Sequence, residues 1–257
     1  MSARAMPESA ETSPRRVNAV PGPETSVRHV RWLLWSSGSG MLIIAVAVLD
    51  ATRALLFYLP WAAAVFLALV YPYRADWRAA DAITALRVLL FLAASACALS
   101  GELPTLVAPL MILAAAGDLL DGLIARRFGG GRHVAVVDME ADQLFVFALA
   151  LTAIVANGYP AWLLVFPGLK YAFTVVQFLL RVHVGSPRPV RSGNQRARWI
   201  YLWVVLLLLG TTVPGLPGFW HLSLIALAAL ALAASFASDI IHLRAHQGAP
   251  QANNDSS

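Results

Sequence analysis

Two pairs of aspartates are the residues of this sequence best suited to chemistry. Asp118 and Asp121 open the stretch Asp-Leu-Leu-Asp-Gly-Leu-Ile-Ala-Arg, and Asp138 and Asp142 follow after a short basic loop. Both spacings place the two members of a pair near one side of a helix. Carboxylates crowded in an apolar setting repel one another, and hard divalent cations are their usual partners. We expect Mg²⁺ or Mn²⁺ here, as two ions about 4 Å apart that would stabilise in-line displacement at phosphorus.

Small and basic residues accompany the first pair. Gly122 and Ala125 fall, with Asp118 and Asp121, within one arc of about 100° on the helix, and Arg126 flanks that arc. The small residues leave room for a phosphate ester to approach the backbone. Arg126 supplies a fixed cation that could hold the ester.

Glu140 is the acidic residue between the members of the second pair. At about 100° per residue, it points away from the side of the helix that carries Asp138 and Asp142. We therefore expect Glu140 to face solvent and not to bind metal.

The composition is that of a polytopic membrane protein. Hydrophobic residues make up 59% of the 257 positions, charged residues 13%, and the mean hydropathy is +0.67. The single cysteine, Cys97, excludes a disulfide framework. In a membrane protein a net charge of +5 usually reflects the orientation of the chain in the membrane and not a nucleic-acid partner. We therefore expect no nucleic-acid binding.

Apolar segments predict an all-α membrane bundle of about eight transmembrane helices. The first segment contains Ser36–Gly40, which either interrupts the span or allows a close helix contact. The segments are 32–49, 54–71, 83–99, 105–124, 136–155, 162–180, 199–213 and 219–241.

Basic residues predict the orientation of this bundle. With the N terminus inside, sixteen of the nineteen Lys and Arg residues fall in cytoplasmic tails and loops, as the positive-inside rule requires. Both aspartate pairs then lie at the cytoplasmic face. We expect an integral protein of the bacterial inner (plasma) membrane with its active site facing the cytoplasm.

The aspartate motif resembles the signature of the CDP-alcohol phosphotransferase (CDP-alcohol phosphatidyltransferase) family of integral membrane enzymes. The shared pattern is Asp-x-x-Asp-Gly-x-x-Ala-Arg, a short loop, and Asp-x-x-x-Asp; Val134 stands where the family has Gly. A second stretch, Asp81-Ala-Ile-Thr84-Ala-Leu-Arg87, resembles the Asn-x-Leu-Thr-x-x-Arg of phosphatidylglycerophosphate-synthase-like members, with Asp in place of Asn.

The resemblance implies metal-dependent transfer of a phosphatidyl group from a CDP-activated lipid, such as CDP-diacylglycerol, to an alcohol, with release of CMP in phospholipid biosynthesis. It implies a homodimer among membrane lipids. The implied metal ligands are Asp118, Asp121, Asp138 and Asp142, with Asp142 also the candidate catalytic base; the implied nucleotide and phosphate ligands are Gly122, Ala125, Arg126, Thr84 and Arg87.

Composition and this resemblance together divide the chain into four parts. Residues 1–30 form a disordered cytosolic tail, 31–73 an extra transmembrane hairpin, 74–242 a six-helix catalytic core, and 243–257 a disordered C-terminal tail. The role of the hairpin is open at this point.

A group of basic residues near the core is the candidate acceptor site. These residues could dock a phosphorylated acceptor such as glycerol 3-phosphate or an inositol phosphate. They could equally be loop charges that only set topology. The residues are Lys170, Arg181, Arg191 and Arg196.

Three other functions stay open. A soluble CDP-aminoalcohol such as CDP-ethanolamine could donate to diacylglycerol at the same aspartates. An ion transporter also uses intramembrane acids, but it would need neither the small residues nor Arg126 in register with them, and its site usually lies near the midplane. A non-catalytic membrane protein with the same fold would tolerate loss of an aspartate, whereas all four are present.

Overall fold

The computed structural model describes residues 23–71, 79–128, 134–179, 195–213 and 219–247, with the backbone alone for 121–128 and 195–198, among others. Within these ranges the chain is helical and contains no strand, which confirms the predicted all-α class. The helices are α1 (Pro23–Leu49), α2 (Ala51–Val70), α3 (Ala79–Ser100), α4 (Pro104–Phe128), α5 (Val134–Asn157), α6 (Val165–Leu179, preceded by a 3₁₀ turn at Ala161–Leu164), α7 (Gln195–Gly210) and α8 (Phe219–Gln247).

Four of the described helices carry apolar stretches long enough to cross a bilayer. In the other helices the described apolar stretches are shorter, at 10–17 residues. Each helix coincides with one of the predicted apolar segments. The four long stretches are Ala51–Val70, Asp81–Ser100, Val137–Asn157 and Trp220–Ser238.

The two outermost helices extend into the predicted tails. Helix α1 begins at Pro23, so residues 23–30 are helical where disorder was predicted. Proline is compatible with the first helical position, where its missing N–H would have no intrahelical partner. Helix α8 continues to Gln247, past the predicted boundary at 242. No Gly or Pro interrupts the sequence between 219 and 247. The remainder of both tails lies outside the described residues.

Helix α5 is the centre of the bundle. Every side chain from Gln143 to Ala153 is buried. On one side α5 packs against α3, where the rings of Phe91 and Phe145 lie 5.8 Å apart between centroids. On the opposite side it packs against α2 and α6. A helix enclosed in this way has little freedom to rotate or slide.

The α1–α2 hairpin is built into the bundle. Tyr58 on α2 donates its hydroxyl hydrogen to the backbone oxygen of Leu144 on α5 at 2.5 Å. Its ring also lies 5.0 Å from that of Phe147, between centroids. On α1, a Cβ added at Gly40 would lie 2.7 Å from the ring of Tyr171 on α6. Gly40 therefore serves a close helix contact, one of the two interpretations of that stretch.

Candidate active site

The side chain of Arg87 on α3 forms ion pairs with three of the four predicted aspartates. It is buried, with 1% of its side chain exposed. Nη1 lies 3.0 Å from Oδ1 of Asp118 on α4 and 3.2 Å from Oδ1 of Asp138 on α5. Nη2 pairs with Oδ1 of Asp142, one turn further along α5. Residues separated by as many as 55 positions in sequence thus meet at one guanidinium.

The carboxylates form a donor set that fits a divalent cation. One oxygen each from Asp118, Asp138 and Asp142 lies within 4.8 Å of the other two. Their side chains are 40%, 37% and 23% exposed, so the cluster is open to a ligand, while Arg87 beneath it is not. Three ionised carboxylates and one guanidinium leave two formal negative charges. Hard cations that prefer oxygen ligands match both the donor type and this charge.

Helices α3 and α4 pack closely enough to bring Arg87 beside Asp118. Gly117 lies in this contact, because a Cβ at that position would lie 3.4 Å from Cγ and Cδ of Arg87, at ordinary van der Waals distance. Thr84, one turn before Arg87 on α3, is also buried, at 2% exposure. Sequence reasoning missed Gly117, although a glycine directly before Asp118 was a usable signal.

Helix α5 is held with its aspartates towards α3. Ser95 Oγ on α3 and Thr152 Oγ1 on α5 are 3.2 Å apart, deep in the interface. Thr152, Asp138 and Asp142 project from one side of α5 at helical spacing. The polar contact and the carboxylates therefore share the α3-facing side.

Tyr201 on α7 is a further residue at this site that sequence reasoning missed. Its hydroxyl donates to the backbone oxygen of Asp142 at 3.5 Å. In the sequence it lies between Trp199 and Trp203, a pattern typical of an interfacial aromatic belt, which hides its position.

The prediction that Glu140 faces solvent is wrong. Its side chain is 5% exposed, and Oε1 lies 3.2 Å from Nζ of Lys170 on α6. The predicted direction, away from Asp138 and Asp142, is the one observed. Helix α6 packs against that side of α5, so the residue meets a lysine instead of water.

The remaining predicted site residues are placed only in part. Asp121, Gly122, Ala125 and Arg126 lie on α4 with Asp118, but the structure describes only their backbone. For Arg196 on α7, too, the structure describes only the backbone. Arg181 and Arg191 lie outside the described residues. The roles assigned to these residues stay predictions.

The fold and the site together define a membrane helical bundle with a metal-compatible acidic cluster where α4 ends and α5 begins. A family model described as CDP-alcohol phosphatidyltransferase matches residues 77–240, more than half of the chain. The protein therefore belongs to this family and is an integral membrane protein, as its motifs predicted. The hairpin α1–α2 precedes the matched region. Searches of curated proteins and of solved structures found no match.

Family membership supports a transferase that moves a phosphatidyl group from a CDP-alcohol to an alcohol. Members of the family typically depend on a divalent metal, which agrees with the cluster of Asp118, Asp138 and Asp142.

Proposed function

We propose that this protein transfers the phosphatidyl group of a CDP-activated lipid, such as CDP-diacylglycerol, to an alcohol and releases CMP. The observation that carries the proposal is the convergence of three carboxylates around the buried Arg87 in a protein of this family. Catalysis of phosphorus chemistry depends mainly on positioning and charge. The cluster supplies both.

In the proposed reaction the acceptor hydroxyl oxygen forms a bond to the phosphorus attached to diacylglycerol. The bond from that phosphorus to the bridging oxygen breaks, and CMP leaves with this oxygen. The carboxylate of Asp142 takes the proton of the hydroxyl. Asp142 suits this role because it lies on α5 beside the other carboxylates and is partly exposed, at 23%.

Asp118, Asp138 and Asp142, with Asp121 from the same turn of α4 as Asp118, would hold Mg²⁺ or Mn²⁺. Bound there, the metal neutralises charge on the diphosphate and on the leaving group. Arg87 of α3 keeps the carboxylates together, so the ligand set of α4 and α5 is preorganised.

Residues around the cluster would bind the rest of the donor and the acceptor. Gly122 and Ala125 would admit the nucleotide close to α4, where a phosphate would meet Arg126. Thr84 and Arg87, which are 2% and 1% exposed, would support this phosphate site as buried residues of α3. We place a phosphorylated acceptor near Arg181, Arg191 and Arg196. Lys170, predicted for the same role, pairs with Glu140 on the side of α5 opposite to Asp138 and Asp142, and we do not assign it to the acceptor. We also propose a homodimer in the bacterial inner membrane with this site towards the cytoplasm.

The experiment that tests the proposal is a substrate panel with purified protein in liposomes. CDP-diacylglycerol is offered with glycerol 3-phosphate, inositol, inositol phosphate or serine, each with Mg²⁺ or Mn²⁺. We expect CMP together with one new phospholipid, identified by mass spectrometry, from one acceptor. A product only from CDP-ethanolamine and diacylglycerol would reverse the roles of donor and acceptor. No product from any pair would overturn the proposal.

A further inference from the structure

We infer that Glu140 and Lys170 form a positioning pair that sets the rotation of α5 and so aims Asp138 and Asp142 at Arg87. Lys170 Nζ lies 3.2 Å from Glu140 Oε1, and the two side chains are 21% and 5% exposed. The inference rests on the proposed function, because the residues it aims are the proposed metal ligands.

The two charged sides of α5 are the first support for this role. At about 100° per residue, Glu140 projects opposite to Asp138 and Asp142. The aspartates meet Arg87 on α3, and Glu140 meets a lysine on α6. When a helix has charged partners on two opposite sides, only one rotation of the helix about its axis satisfies both contacts. Turning α5 by a single residue position would draw all three carboxylates away from their partners.

Stability alone is a poor explanation for a buried pair. Removing two charges from water is costly, and replacing a buried ion pair with apolar residues is often neutral or stabilising. Ionisable residues in membrane spans are correspondingly rare and tend to serve a function. Fixing one arrangement among several is the best attested use of such groups.

Helix α6 holds its side of the pair rigidly. Tyr171, directly after Lys170, is buried at 2% exposure and packs against Gly40 of α1, where an added Cβ would lie 2.7 Å from its ring. Gln143, one turn after Glu140, donates from Nε2 to the backbone oxygen of Pro167 at 3.2 Å. The α1–α2 hairpin, which precedes the matched region, therefore packs against α6 directly beside the lysine.

The test compares Mn²⁺ binding among folded variants of the full-length protein. Electron paramagnetic resonance in detergent measures the binding. The single variants are Glu140→Gln and Lys170→Met. One double variant exchanges the charges (Glu140→Lys with Lys170→Glu), and a second replaces both with apolar side chains (Glu140→Met with Lys170→Met). Asn157→Ala is the matched control. It removes a 2.6 Å hydrogen bond from α5 to the backbone oxygen of Thr211, about 22 Å along the helix from Asp142.

We expect each single variant to weaken Mn²⁺ binding at least tenfold, and the charge reversal to recover most of the loss. The double variant Glu140→Met with Lys170→Met should stay folded but bind Mn²⁺ weakly, and Asn157→Ala should bind Mn²⁺ as the wild type does. Wild-type affinity in all folded variants would overturn the inference and reduce the pair to packing. Wild-type protein that binds no Mn²⁺ would instead overturn the proposed metal site, and the inference with it.

Acceptor kinetics distinguish positioning from direct binding by Lys170. A positioning role predicts that Glu140→Gln and Lys170→Met lower kcat alike and leave the acceptor KM within about twofold. A raised acceptor KM in Lys170→Met alone would show that the lysine meets the acceptor, and would overturn the positioning role.

Discussion

Arg87 is the residue on which the site depends. A guanidinium offers five N–H donors in a planar fork and stays protonated, so it can bind several carboxylates at once. Here it binds three, from two helices other than its own. Lysine offers a single compact charge and would not reproduce this geometry. The sequence assigned Arg87 to a phosphate, and its contacts with the aspartates add a second role that leaves the first untested.

We predict that Arg87→Met lowers the stability of the metal-free protein by about 3 kcal/mol, the low end for breaking a buried ion pair, because the three carboxylates are partly exposed. Thermal unfolding in detergent measures this.

Arg53→Met is the matched control for this variant. Arg53 pairs with Asp50, but its side chain is 78% exposed, and exposed pairs contribute about 0–1 kcal/mol. Equal melting temperatures for the Arg87 variant, the control and the wild type would contradict the role given to Arg87.

Asp142→Asn tests the proposed base. We predict that kcat falls about 10²- to 10⁴-fold, the usual contribution of a positioned general base. Binding of the CDP-lipid should persist, since Asp118 and Asp138 still face the donor. The measurement is single-turnover CMP release at saturating Mn²⁺. Unchanged turnover would remove Asp142 from the role of base.

At the scale of elements, α5 shows what sequence periodicity can and cannot predict. The spacing of Asp138 and Asp142 placed them on one side of a helix and Glu140 on the other, and the structure has that arrangement. What covers each side was not predictable, because it depends on which helices pack there. The periodicity of one helix gives directions, and its neighbours decide whether a direction leads to water or to Lys170.

Contacts made by small or aromatic residues were hidden for a similar reason. Gly117 reads as a helix residue of weak propensity, and nothing near it in sequence shows that it lies beside Arg87. Tyr201 reads as part of an aromatic belt, and its contact with Asp142 requires α7 to lie beside α5. The local sequence does not indicate such contacts, because they join residues that are distant along the chain.

A matched pair of glycines in α1 tests the hairpin contact. Gly40→Ala would place a Cβ 2.7 Å from the buried ring of Tyr171, whereas a Cβ at Gly38 meets nothing within 4 Å. We predict that Gly40→Ala destabilises the protein by about 1–3 kcal/mol through overpacking. Gly38→Ala should be neutral or slightly stabilising because alanine favours the helix. Equal unfolding temperatures for the two variants would show that α1 is not held against α6.

At the scale of the molecule, the orientation in the membrane decides which solution the site meets. The aspartate cluster lies where α4 ends and α5 begins, and the excess of arginines in the adjoining segments predicts that this end faces the cytoplasm. Glu102, in the exposed connection between α3 and α4, lies at the opposite end of α4. Position 186, in a basic segment outside the described residues, should share the side of the site.

Cysteine labelling tests this orientation, because Cys97 is the single native cysteine and can be replaced by Ser. In right-side-out vesicles an impermeant maleimide should label Glu102→Cys directly, and Ser186→Cys only after permeabilisation. The reverse pattern would place the carboxylates outside and contradict the proposed cytoplasmic site.

The most direct test of the central claim is metal-dependent CMP release from CDP-diacylglycerol by the wild type and by Asp138→Ala. Asp138 lies 3.2 Å from Arg87 and within 4.8 Å of its two partner carboxylates, so its loss should disable the metal site. We predict release that requires an acceptor and Mn²⁺, stops on chelation, and falls at least a hundredfold in the variant. Equal release by both proteins, or release that persists after chelation, would contradict catalysis at this cluster.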